Sequence, residues 1–479
     1  MSPPEPFSPA LKRLILVTTL GSFMAFLDST IVNVALESLT VDLHADLATI
    51  QWVLTGYLLA MAAVIPVSGW VSTRFGAVQT YVVALAAFTV ASLICGLAGS
   101  VEMLVAGRVL QGLAGGLLMP VGSMMMLRAT GPGQIARVMG VAGVPTVMAP
   151  VFGPTVGGLI IEHAGWEWIF FLNLPIGLLT LILAVRLLAF DARGEAGPPD
   201  LAGLVLIIGG TVGLTYGLAE IGSAGGLHAR SVGALTIGAV MLVAFVAHQL
   251  IVPKPLLDLR LFRNPRYAVA SLANFCLGAA IFGAIILLPL YFQLVRGEDA
   301  VATGLLLMPQ GAGVALGMIV GAGLTDRIGS GWTGVSGSLL SLVATLPFTA
   351  IGVGTSYVLL DSLMVVRGLG VGFCAVAVSA AAFRAIDASR IPDATVQNNV
   401  LQRLGGSAAT AAFAVILQHQ LESATSSQAV ADGFGTAFWW VVAISAGSGL
   451  PLLWLIPAER RAARPPEDQT LTPSAASSS

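Results

Sequence analysis

Leu14-Ile-Leu-Val-Thr-Thr-Leu-Gly-Ser-Phe-Met-Ala-Phe-Leu-Asp28-Ser-Thr-Ile-Val-Asn33-Val-Ala-Leu36 is an apolar run with a single carboxylate near its middle. About twenty such residues suffice to cross a bilayer as a helix. An ionised acid at the centre of a membrane helix costs about 2.5–3.5 kcal/mol on insertion scales. Groups of this kind mark proton, ion or substrate pathways, or else brace one helix against another. The rest of the chain decides which of these Asp28 does.

Of the 479 residues, 56% are hydrophobic and 10% charged, with a mean hydropathy of +0.90. Soluble domains carry about 25% charged residues, so this composition defines an integral membrane protein. The apolar runs are long and lack the short alternating segments of an outer-membrane barrel, so the spans are helical. The net charge of -2 says nothing about nucleic acid, but no basic stripe appears, so no nucleic-acid partner is expected. Cys95, Cys276 and Cys374 all fall in apolar runs, without the spacing of a metal site, a redox motif or a disulfide framework. No phosphate-binding G-x-x-x-x-G-K-[ST] loop occurs, which argues against ATP-driven work by this chain alone. Nor does any nucleophile–base pair support an enzyme. No cleavable signal peptide is evident, because the first run continues as a span.

Fourteen apolar segments stand near 13–36, 49–71, 78–98, 102–127, 134–161, 166–189, 200–221, 231–252, 267–294, 301–324, 332–353, 359–384, 394–420 and 434–456. With the N-terminus inside, seventeen of the 22 Lys and Arg fall on the cytoplasmic side. Only Arg230 and Arg296 fall outside, while Arg108, Arg367 and Arg403 lie within spans. This asymmetry predicts that both termini are cytoplasmic. The chain also repeats itself. Val71-Ser-Thr-Arg74-Phe-Gly76 closes the second span and Leu324-Thr-Asp326-Arg327-Ile-Gly329 closes the tenth; each is followed two spans on by a buried Arg, Arg108 or Arg367. Internal repeats around a midplane site are a mark of secondary transporters. The expected organisation is a six-helix bundle over 1–190, two inserted spans over 191–264, a second bundle over 265–456 and a disordered tail over 457–479.

Asp28, Ile31, Val32 and Ala35 share one stripe of a helix, an expected pocket wall with one acid in it; Asn33 lies roughly 140° away. A carboxylate there could exchange a proton against a cationic substrate, the simplest route to antiport. Arg108, in Leu104-Val-Ala-Gly-Arg108-Val-Leu-Gln111-Gly112, must find acceptors at this depth: either Asp28 or backbone carbonyls. Asn33, Gln51, Trp52, Tyr57 and Gln111 are candidate pocket walls. Arg74, Gly76, Asp326 and Arg327 sit at the repeated turns, where charges serve either as interdomain ion pairs or as membrane anchors. Gly143-Val-Pro-Thr-Val-Met-Ala-Pro150-Val-Phe-Gly153-Pro154-Thr-Val-Gly157-Gly158 concentrates small residues that let helices approach and prolines that kink them. Gln293, Gln310, Asn398, Asn399, Gln402 and Arg403 are cavity-lining candidates or interhelical hydrogen bonds.

Together these motifs resemble the major facilitator superfamily, in its fourteen-span drug:proton antiporter branch (QacA/EmrB-like), over residues 10–456. Leu27-Asp28-Ser-Thr-Ile-Val-Asn33-Val-Ala35-Leu36 resembles the first-span motif of that branch and Arg108-Val-Leu-Gln111-Gly112 its fourth-span Arg motif. Gly153-Pro154-Thr-Val-Gly157-Gly158 is similar to its fifth-span antiporter motif, and Gly165-Trp-Glu-Trp-Ile-Phe-Phe-Leu-Asn173-Leu-Pro175-Ile-Gly177 to the entry of its sixth span. Two departures stand out: Thr73 occupies the position of the usual Asp in the turn after the second span, and Ala322 replaces the leading Gly of its second copy. The resemblance implies two six-helix bundles rocking about a midplane cavity in the inner membrane. It implies export of small amphipathic, expectedly cationic, drugs against protons, with Asp28 and Arg108 coupling the exchange. The gating roles would fall to Arg74, Gly76, Gly153, Pro154, Gly157, Gly158, Asp326 and Arg327. No cofactor is expected beyond the proton gradient, and the protein is expected to act as a monomer in the bilayer. The rival reading is export of one natural product, lipid or peptide by the same fold.

Overall fold

A computed structural model describes residues 6–190, 197, 200–224, 228–253, 255–422 and 426–462. Those residues are all-helical, with fourteen helices long and apolar enough to cross a membrane. They are α1 Pro9–Asp42, α2 Thr49–Phe75, α3 Ala77–Gly96, α4 Val101–Arg128, α5 Ile135–Ala164, α6 Glu167–Leu187 and α7 Leu201–Leu218. Then follow α8 Ala229–Ile251, α9 Pro265–Leu294, α10 Val301–Ile328, α11 Ser330–Ala350, α12 Tyr357–Arg384, α13 Ala388–Leu421 and α14 Gln428–Pro457. Each overlaps one expected span, and several run past the apolar window. At its start α1 is extended by Ser8, whose hydroxyl accepts the Leu11 amide at 3.2 Å, and by Pro9 in the first turn. The last helix continues to Ala462, into the segment expected as a tail; residues 463–479 lie outside those described.

α1–α6 form one bundle and α9–α14 the other. The inserted helices α7 and α8 pack as a pair, and α7 also lies against α2 and α13, one helix from each bundle. One carboxylate ties this pair together. Asp200 accepts the Gly203 amide at 2.9 Å and holds His248 and Gln249 of α8 at 2.9 and 2.8 Å. Burial alone would raise the Asp200 carboxyl, but these donors hold it below its ordinary value.

The sequence repeat is visible in the backbone. Gly76 and Gly329 close the two matching turns with φ of 93° and 90°, a region that L side chains rarely adopt. A third such glycine, Gly165 at φ 96°, turns α5 into α6.

With fourteen spans, α1 begins and α14 ends on one side of the bundle pair, the terminal side. There a continuous apolar cluster joins the halves: Leu127, Ile135 and Ala136 of the first with Met318, Phe383 and Ile391 of the second. Gly69 of α2 also rests against Val396 and the Pro392 carbonyl of α13. On the opposite side no shared cluster forms among the described residues. Ile31, Leu104 and Phe170 belong to a core confined to the first half, and Leu288, Phe413 and Phe438 to one confined to the second. The molecule is therefore sealed at the terminal side and parted at the other, except along α5 and α10.

The Gly-rich run of α5 is a contact surface with two sides. A Cβ on Gly153 would meet Thr30 Oγ1 at 2.3 Å, and one on Gly157 would meet Ile31 Cγ1 at 2.7 Å, so both glycines admit α1. Gly158 lies against Val301 of α10, Gly304 of α10 against Thr155 and Pro154, and Gly140 and Gly143 against Met318. The α5–α10 contact thus runs the length of both helices. Gly157→Val should force α1 from α5, at a cost of about 1–3 kcal/mol typical of overpacking. A lowered melting temperature in detergent checks this; an unchanged one would show that the contact is loose.

Candidate functional site

Asp28 and Arg108 are both wholly buried, and Arg108 Nη1 lies 2.5 Å from Asp28 Oδ2. Of the alternatives open in the sequence, Arg108 takes both: its Nε also donates to the Val53 carbonyl at 3.2 Å. The other carboxylate oxygen, Oδ1, accepts from Gln111 Nε2 at 3.1 Å and Asn173 Nδ2 at 2.8 Å. Ser92 Oγ bridges the same two amides at 2.7 and 2.9 Å. The Tyr57 ring lies under the guanidinium, 4.1 Å from its carbon to the ring centroid, and the Tyr57 hydroxyl donates to Ala25 O at 3.3 Å. Five helices of the first bundle, α1, α2, α3, α4 and α6, therefore converge on one carboxylate. Every group around it is a donor or a cation, which suits the acceptor-only carboxylate form.

This arrangement corrects one expectation. The Asp28–Ile31–Val32–Ala35 stripe is not a pocket wall: all four residues are buried inside the first bundle. The reason is the pair itself, since a guanidinium and a carboxylate that satisfy each other can be taken out of water together. Tyr57 and Gln111, expected as pocket walls, belong to this buried network. Asn33 is exposed in a short 3₁₀ turn, Val32–Ala35, and donates to Thr30 O at 3.1 Å. Gln51 and Trp52 are exposed, and Trp52 stacks on Tyr216 of the inserted helix α7, with ring centroids 6.3 Å apart. Two members of the network, Ser92 and Asn173, were not singled out by sequence. Asn173 could have been, as a lone amide within the apolar Ile169–Ile182 stretch; Ser92 carries no signal.

The repeated turns also differ from expectation. Asp326 pairs with Arg384 at 2.6 Å, but both lie in the second bundle, and the pair is partly exposed. An ion pair of this kind contributes at most about 1 kcal/mol. Arg74 and Arg327 are exposed and make no hydrogen bond or ion pair among the described residues. With Thr73 in place of an acid, its hydroxyl turned onto Gly69 O at 2.9 Å, no charged latch joins the halves at these turns among the described residues. The apolar cluster does the sealing.

The second bundle lacks the first one's acid. Arg367, the counterpart of Arg108, is buried and among the described residues meets only neutral acceptors, Gln310 Oε1 at 3.1 Å and the Ala280 carbonyl at 3.2 Å. Two open spaces stand out. A groove of about 490 Å³ at the parted end runs between α1 and α5, rimmed by Glu37, Asp42 and Glu162. A smaller, half-open cavity of about 180 Å³ lies between α2, α7, α9 and α13.

Two helix bundles with matching turns, each holding a buried arginine, have the architecture of a membrane transporter of the two-repeat kind. Residues 18–410 match the Major Facilitator Superfamily, and the chain belongs to that family. It is 35% identical over 423 residues to the Multidrug resistance protein B homolog of Mycobacterium tuberculosis, covering 87% of this chain and 78% of that protein. To the Tetracenomycin C resistance and export protein of Streptomyces glaucescens it is 33% identical over 359 residues, covering 74% of this chain and 66% of that one. In fold it is similar to the human organic anion transporter MFSD10, with a TM-score of 0.62 over 91% of this chain and all of that one. Their sequences are 14% identical, so that likeness concerns architecture alone.

Proposed function

We propose that this protein exports small amphipathic drugs across the inner membrane, driven by protons moving inward, and is not an enzyme. Resistance and export proteins among its relatives support the drug-efflux part. One observation carries the proton part: a carboxylate and a guanidinium wholly buried against each other, with spare acceptors in reach of the guanidinium. A proton arriving on Asp28 Oδ2 cancels the ion pair. Arg108 then keeps the Val53 carbonyl, Gln111 Oε1 at 2.9 Å and the Tyr57 ring, so it is not stranded. The two states differ by one proton and by the grip of α4 on α1, which is what a coupling device needs. The positive-inside asymmetry supports a cytoplasmic terminal side; the sealed end would then face inward and this conformation outward. The gradient is the only energy source required, without cofactor, and one chain holds the whole site.

The test is flux in proteoliposomes with an imposed pH gradient. Ethidium and a fluorescent aromatic carboxylate serve as probes, with and without a protonophore. Gradient-accelerated accumulation of either probe, abolished by the protonophore, is the expected result. Fluxes of both that ignore the gradient would overturn the reading.

A further inference from the structure

The cavity between α2, α7, α9 and α13 contains a charge that no described residue pairs with. Arg403 sits near the middle of α13 and lines this space. A guanidinium at membrane depth has to find acceptors, and the two other intramembrane arginines do: Arg108 on Asp28, Arg367 on Gln310 and Ala280 O. Arg403 makes no hydrogen bond or ion pair among the described residues. Thr215 of α7 and Ser407 and Thr410 of α13 line the same cavity, and their hydroxyls likewise have no partner there. One cation and three donors therefore converge on an empty space with no acid in its wall. The remaining lining is apolar, including Leu58, Leu218 and Phe282.

We infer that this cavity binds the acidic head of an amphipathic aromatic acid, with its carboxylate or sulfonate on Arg403 and its ring among the apolar side chains. This deepens the drug-export reading and rests on it. Guanidinium fits a planar carboxylate through two parallel hydrogen bonds, and the hydroxyls supply further donors. The size agrees: a dry cavity of about 150 Å³ admits a benzene ring, and this one measures about 180 Å³. Asp28, on which the expectation of cationic cargo rested, lines no part of it. The acids Glu37, Asp42 and Glu162 rim the groove at the parted end, open to solvent and to screening by salt. The inserted helix takes part in the site. Thr211 ties α7 to the Ala62 carbonyl of α2 at 3.3 Å, Thr215 faces the cavity, and the Tyr216–Trp52 stack adds an aromatic surface beside it. Arg403 also lies close enough to Tyr57, the ring under Arg108, for the two to interact electrostatically.

The test is equilibrium binding to the full chain in nanodiscs at uniform pH, with three probes of one shape: 2-naphthoate, 2-naphthylmethanol and 2-naphthylmethylammonium. Naphthoate should bind at least about tenfold tighter than either other probe, as one charge-assisted contact at this depth allows. Arg403→Gln should bring naphthoate down to the level of the alcohol and leave the alcohol's affinity unmoved. Arg403→Lys should recover part of the loss, since it keeps the charge and gives up the fork. Thr215→Val should weaken naphthoate about threefold, the scale of one neutral hydrogen bond, and it reports even if the Arg403 variants do not fold. Equal affinity for all three probes, preference for the ammonium, or insensitivity of naphthoate to both Arg403→Gln and Thr215→Val would overturn the proposal. Because no gradient is imposed, a failure of proton coupling does not touch this assay. A failure of anion preference in turn leaves gradient-driven ethidium flux to stand or fall alone.

Discussion

Arg108→Ala should be the most damaging single substitution in the first bundle. It leaves Asp28 buried with two amide donors and no counter-charge, where removal of one partner of a buried pair costs about 3–5 kcal/mol. The Val53 carbonyl loses its donor at the same stroke. A clearly lower melting temperature and poor recovery from detergent are the expected signs. Asp28→Asn combined with Arg108→Gln should regain most of that stability, because it removes both charges and keeps polar side chains of similar size. It should not regain coupled transport. If Arg108→Ala melted like the unmodified protein, the pair would be peripheral to both fold and mechanism.

Asp28→Asn is expected to separate stability from coupling. The amide keeps an oxygen for Arg108, but its NH₂ now confronts the amide donors of Gln111 and Asn173. Those amides must reorient or one donor is left unmet, at about 1–3 kcal/mol. The protein should fold with a modest loss. Gradient-driven flux should fall to the level seen with protonophore, and the pH dependence of transport should flatten, since an amide takes up no proton. Retained gradient-driven flux in this variant would move the proton site elsewhere in the chain.

The spans were legible because bilayer crossing imposes a length and a polarity that short segments of sequence display directly. The repeat was legible too, because Gly76 and Gly329 occupy positive-φ turns that few other residues tolerate. What sequence could not supply was direction. Helical spacing set Asp28 on a stripe with Ile31, Val32 and Ala35, but an apolar stripe looks alike whether it faces a cavity or a neighbouring helix. The distance to Arg108 decides between these, and it depends on how α4 packs against α1. Ser92 escaped notice for the same reason, since a serine in a membrane helix usually bonds its own backbone. Arg403 was visible as an intramembrane charge among several polar residues. Only the packing of α7 over the α2–α13 cleft shows that it lacks a partner.

The glycine contact between α5 and α10 has a mechanical consequence. It stays closed from the terminal end, at Gly140 and Met318, to the parted end, at Gly158 and Val301. In the proposed cycle it therefore behaves like the spine of a book, and the pages swing widest at the far edge. The α2–α13 pair touches near the terminal end, at Gly69 and Val396, and α7 bridges that pair. The inserted helices would then sit where the stroke is longest, moving with the opening edge as cargo passes.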